Sequence, residues 1–139
     1  MVAAMATAGA LVGFGLRDGA VGRSFVVAGG AILSRFGIQV IPNQGAAVML
    51  GVVLHFAWIV ALGVCFALVA RALRGAALVL AALMFAGAVY LLADRVIPSL
   101  VHATLTALFS TARVVFVHVV LALGLAAGMR LARQEGASR

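Results

Sequence analysis

The chain contains no lysine, three acidic residues and one cysteine in 139 positions. Each scarcity removes a class of function. Asp18, Asp94 and Glu135 all stand at the ends of apolar runs, so no carboxylate lies within a membrane segment to carry a proton or a cation. Ser99 and Ser110 have no base and acid partners in a defined constellation, so a hydrolytic nucleophile is not built. The one thiol, Cys65, cannot form an internal disulfide, and inside an apolar run it stays protonated and inert. Zinc-type spacings of cysteine and histidine are missing, as is a glycine-rich phosphate loop following a strand. No catalytic residue and no metal ligand is therefore assigned, and the chain is not expected to be an enzyme.

What the chain has in quantity is hydrocarbon. Hydrophobic residues make up 66% of it and charged residues 9%, far outside the range of soluble domains. So short a chain buries only a modest fraction of its surface and could not hide this much apolar area in water. The expected fold is all-α, a polytopic transmembrane helical bundle forming one integral membrane domain over residues 1–139. A span needs about 20 apolar residues, and four are expected, at 1–18, 46–70, 76–93 and 113–130. The first is short, since sixteen helical residues cover only about 24 Å. It lacks the positively charged start of a signal peptide and is read as a span. Short interfacial helices are expected at 23–36 and 98–112. Gly29 and Gly30 weaken the first of these, Pro42 with Asn43 marks a turn after it, and Pro98 ends the third span. A five-span alternative makes residues 24–42 a membrane helix with Arg35 snorkelling outward.

The net charge of +7 would suit a nucleic-acid partner if it were clustered. Instead the ten basic residues, all arginine, sit mostly at the ends of apolar runs. That is how a membrane protein fixes its orientation and meets anionic headgroups. Anionic lipids are thus expected as partners, and nucleic acid is not. Arginine without lysine, with alanine and glycine abundant, also fits the codon usage of a GC-rich bacterial genome. The expected location is accordingly the bacterial cytoplasmic (inner) membrane. Arg71 and Arg74 in the turn RALRG, with Arg130, Arg133 and Arg139 in the tail, mark the cytoplasmic side and place the C-terminus there. Tyr90 is expected as an interface anchor near the end of its span.

Small residues recur at four-residue spacing, as Gly9 with Gly13 and Gly124 with Gly128. Together with Gly51 they are expected to let helices pack closely. Two histidines lie inside spans. His55 follows Ala46 by nine residues, about 14 Å, and His118 follows Thr111 by seven, about 11 Å. Both helices run from outside to inside, so the two rings are expected at similar depth. Two roles are open. A pair of neutral imidazoles can ligate haem b or bacteriochlorophyll, with Gly51 leaving room for a flat ring and Trp58 nearby. Alternatively each histidine bonds a neighbouring helix, which is the favoured reading. His102, in the segment 98–112, is expected on the surface.

A small residue four positions before a histidine is similar to the bacteriochlorophyll-binding helices of light-harvesting polypeptides. More broadly, the opening Gly51-x-x-x-His55-Phe56, the Arg-flanked turn that ends that helix, and His118 near the start of the last span resemble small bacterial inner-membrane proteins of the YagU-like kind. The resemblance covers residues 51–74 and 114–133. It implies a four-helix membrane protein without established enzymatic activity. The expected function is a non-catalytic accessory subunit of a larger membrane complex, respiratory or photosynthetic, with other integral membrane subunits as partners.

Overall fold

The computed structural model describes residues 1–96 and 110–138. Among them are five α-helices: α1 (Val2–Arg17), α2 (Arg23–Arg35), α3 (Gln44–Ala70), α4 (Gly75–Val96) and α5 (Thr111–Ala137). The fold is all-α, as its composition implies. The stretches Ile41–Ala70, Gly75–Leu92 and Thr111–Gly136 are long and apolar enough to cross a membrane, while Val2–Arg17 is apolar but shorter. The helix expected over 98–112, with Pro98 and His102, lies outside the described residues up to Phe109.

Local chemistry sets the breaks. Gly22, with φ of 81°, caps the start of α2, and Gly75, with φ of 58°, allows the turn after α3 to redirect into α4; a Cβ is disfavoured at both positions. Pro42 sits in a single 3-10 turn, Ile41–Asn43, leading into α3, where its missing N–H costs no hydrogen bond.

The helices pair mostly antiparallel. Against α5, α1 runs from Ala3 beside Gly124, through Phe14 edge-on to Phe116 at 5.7 Å, to Asp18 bonded to Arg113. On the other side of α5, α4 places Tyr90 against His118 and Gly75 near Arg130. The short α2 lies along the first half of α3, with Gly29 beside Ala47 and Phe25 beside Gly51. α3 and α5 run parallel, Gly63 facing Leu125 and Ala70 facing Arg133.

The interior is made of small side chains. Of the fourteen buried hydrophobic residues among those described, eight are alanine, including Ala47, Ala70, Ala82, Ala86, Ala122 and Ala126. Many large side chains point outward, with Leu68 69% exposed, Met84 70% and Leu91 74%, while Phe25, Ile59, Phe66, Leu78, Leu121 and Leu125 are buried among the alanines. A water-soluble domain would do the reverse. In hydrocarbon, large apolar groups gain nothing by hiding, whereas small ones let backbones meet and collect dispersion contacts. Consistently, only 17% of the apolar stretches of α3 and α4, and 28% of that of α5, is buried inside the bundle.

The tightest crossings are glycine-made. A Cβ built on Gly29 would fall on the Ala47 carbonyl, with Gly51 N at 2.8 Å; one on Gly51 would fall on the Phe25 carbonyl, with Phe25 Cα at 2.8 Å. Gly124 meets Ala3 Cα at 2.6 Å in the same sense, and Gly128 lies at ordinary contact distance, 3.9 Å, from Val2. Gly9 and Gly13, expected to pack a helix face, have nothing within 4 Å. The buried face of α1 is instead Ala3, Ala4 and Thr7. Gly9 lies two positions beyond Thr7, a rotation of roughly 200° about the helix axis, and so faces outward.

Candidate functional site

Bare backbone at Gly51 lets α2 settle onto α3 and brings the Phe25 ring edge-on to His55 at 5.7 Å. Phe56 closes another side at the same distance. His55 Nε2 is then 3.1 Å from Thr7 Oγ1 and 3.3 Å from the Ala4 carbonyl oxygen on α1. A carbonyl only accepts, so Nε2 carries the proton and donates to Ala4, sharing it with Thr7 Oγ1. The Thr7 hydroxyl, fully buried, donates in turn to Ala3 O at 2.8 Å. His55 therefore ties α3 to α1 through a satisfied polar cluster. Membrane hydrogen bonds of this kind contribute about 0.6 kcal/mol on average and up to about 1.7. Thr7→Val and His55→Leu are each expected to lower unfolding free energy in lipid by about 1 kcal/mol. The double variant should cost less than the sum, because both remove the same bond.

His118 is held differently. Its Nδ1 donates to the Val114 carbonyl at 2.8 Å, one turn back on its own helix, and its ring stands edge-on to Tyr90 at 5.3 Å. It opens onto a groove of about 140 Å³ between α4 and α5, lined also by Leu83, Ala86, Gly87, Val115 and Val119. The parallel register of α3 and α5 pairs Gly63 with Leu125 and Ala70 with Arg133, 62 and 63 positions apart. The same offset sets His55 level with His118. The two rings nevertheless serve different neighbours: His55 faces α1 and α2, His118 faces α4. Among the described residues their ring contacts are with different helices, and His55 Nε2 is engaged by Ala4 O and Thr7 Oγ1. Among the described residues no group of three or more His, Cys, Asp or Glu is gathered that could hold a metal ion.

Arginines close the two ends of the bundle. Arg133 Nη1 donates to Leu73 O at 2.6 Å, and Nη2 to Arg71 O at 3.0 Å and Ala70 O at 3.2 Å. Here a cation from α5 takes the last carbonyl of α3, Ala70 O, which also accepts the Leu73 N–H, and two carbonyls of the turn after it, where the helix dipole also favours positive charge. Arg130 adds one bond to Gly75 O at 3.4 Å. Arg71 and Arg74 are exposed at this end, as is Tyr90 toward the other.

At the opposite end Arg113 grips Asp18 with both terminal nitrogens, the Nη2–Oδ1 bond at 2.8 Å, and lies 5.3 Å over the Phe14 ring. The Arg113 hydrogen bond, followed by its charge and those of Arg17 and Arg23, holds the Asp18 carboxyl below its ordinary value of 3.8. A depressed folded-state pKa means that the carboxylate's stabilisation is fully present above the unfolded value. It is lost as pH falls below 3.8 through the folded one. The pair is partly exposed, so the effect is small. The unfolding midpoint should fall slightly between pH 5 and pH 2 in the native chain, and Asp18→Asn should abolish that component of the titration.

Sequence reasoning missed Thr7, the Asp18–Arg113 pair and Gly29. A lone threonine in an apolar run is a usable signal for an interhelical bond. The ion pair joins residues 95 positions apart, and nothing local in the sequence marks it. The chain matches no protein-family model, no curated protein and no solved structure.

Proposed function

We propose that the chain is a non-catalytic subunit of a larger assembly in a bacterial cytoplasmic membrane, a four-span bundle that fills space between integral membrane neighbours. The observation that supports this is Trp58. It lies midway along α3, fourteen residues from Gln44 and twelve from Ala70, and is 41% exposed on the outer face. Its indole N–H has no acceptor among the described residues. Tryptophan normally sits at the membrane–water belt, where its N–H finds a partner; hydrocarbon at mid-span offers none. A neighbouring subunit supplies the acceptor. The outward row of Gly9 and Gly13 on α1 gives a second smooth face suited to helix packing.

The contacts of α1 with α5, from Ala3 beside Gly124 to Asp18 at Arg113, support reading α1 as a fourth span, shorter than its neighbours. The end carrying Arg71, Arg74, Arg130 and Arg133 faces the cytoplasm and anionic lipid. The host complex is a bioenergetic one, respiratory or photosynthetic. Native purification in mild detergent, followed by mass spectrometry, tests the reading. Stoichiometric co-purification of another integral membrane protein is expected, with at least a tenfold loss of partner in Trp58→Ala. Recovery as a stable lone monomer would count against it.

A further inference from the structure

We infer that the groove between α4 and α5 binds the ring of a phenol or hydroquinone amphiphile, whose hydroxyl donates to Nε2 of His118. Three observations converge on it, none of them used in the subunit reading above. First, the bond to Val114 O places a proton on Nδ1, and in the neutral ring this leaves Nε2 as the acceptor. Among the described residues that nitrogen has no hydrogen-bond partner, and apart from the Tyr90 hydroxyl at the rim the walls Leu83, Ala86, Gly87, Val115 and Val119 carry no side-chain donor. An unmet polar atom facing hydrocarbon is costly, and a hydroxyl-bearing ligand relieves the cost.

Second, the volume bounds the size of the ligand. An engineered apolar cavity of about 150 Å³ accepts one benzene, so about 140 Å³ suits one six-membered ring. A tetrapyrrole needs several times that space. Gly87 keeps the groove empty: a Cβ there would meet nothing within 4 Å, so a larger side chain would occupy the groove without displacing protein. Third, Leu83, Gly87, Tyr90, Val115 and Val119 are all exposed, so the groove opens onto the bundle's outer, apolar surface. A hydrocarbon tail leaves by that side into lipid. Tyr90 adds a second hydroxyl at the rim for the opposite oxygen of a hydroquinone.

The test uses the full-length chain in lipid nanodiscs, with decyl-trimethylhydroquinone kept reduced and its O,O-dimethyl ether as probes. Saturable hydroquinone binding is expected, together with a shift of the His118 imidazole ¹⁵N resonance. The ether, which has no hydroxyl to donate, should bind at least tenfold more weakly. Gly87→Leu and His118→Phe should each weaken hydroquinone binding at least tenfold, and His55→Leu should leave it unchanged. Equal binding of ether and hydroquinone to the native chain would overturn the proposal. So would undiminished binding to Gly87→Leu, or a Soret or near-infrared band in the purified protein that His118→Phe removes.

Discussion

Gly51→Leu is expected to detach α2 from α3 and to destabilise the fold more than any other single change considered. A leucine Cβ at this position would coincide with the Phe25 carbonyl, with Phe25 Cα at 2.8 Å. The obstacle is backbone, which cannot rotate aside as a side chain can. Overpacking a relaxed core costs about 1–3 kcal/mol, and a backbone-to-backbone crossing should lie at or above the top of that range. Gly29→Val should behave alike, since its Cβ would fall on the Ala47 carbonyl. Once α2 has lifted, the second substitution has little left to break, so the pair should be strongly non-additive. Gly9→Leu and Gly13→Leu supply the control. Both positions face open space, and each change should stay within about 0.5 kcal/mol. Unfolding free energies of the four single variants and the Gly29/Gly51 double variant in one detergent system check this directly.

Arg133→Met comes next in expected size. It removes the fork that takes the carbonyls of Ala70, Arg71 and Leu73, while keeping most of the apolar stem. Hydrogen bonds to charged groups contribute about 1.5–3 kcal/mol each. Water reaches the exposed part of this turn and replaces some of them, so a total loss of about 2 kcal/mol is expected. Arg133→Lys should recover only part, because an ammonium is a point charge without the planar fork. Arg130→Met, which removes one long bond to Gly75 O, should cost clearly less. Faster proteolysis within 71–74 in Arg133→Met, together with its unfolding midpoint, would separate fraying of the turn from global loss.

These two sites show where sequence stops being informative. Runs such as 46–70 announce their helices because an uninterrupted apolar stretch has no other stable form in a bilayer. The rotation of each helix about its axis is another matter. α3 is apolar all round, so no amphipathic stripe marks the side that packs. Hence Gly51 could be read as a packing residue, but its partner Gly29 reads in sequence only as a weak point in a helix. On α1 the visible Gly9–Gly13 spacing drew attention to the outward face, whereas Ala3, Ala4 and Thr7 do the packing. Arg133 looked like one more topological charge, because the carbonyls it caps belong to a turn 60 positions earlier. His55 was legible as a residue needing a partner, and the candidates were open until Ala4 and Thr7 came within bonding distance.

The most direct test of a bilayer-embedded, small-residue bundle uses Trp58, the one tryptophan of the chain, exposed halfway along α3. In vesicles reconstituted with the purified chain, its fluorescence should be strongly quenched by lipids brominated deep in the acyl chain and scarcely by aqueous iodide. Quenching by iodide as efficient as that of free tryptophan, with no effect of the brominated lipids, would contradict the placement of α3 across the membrane.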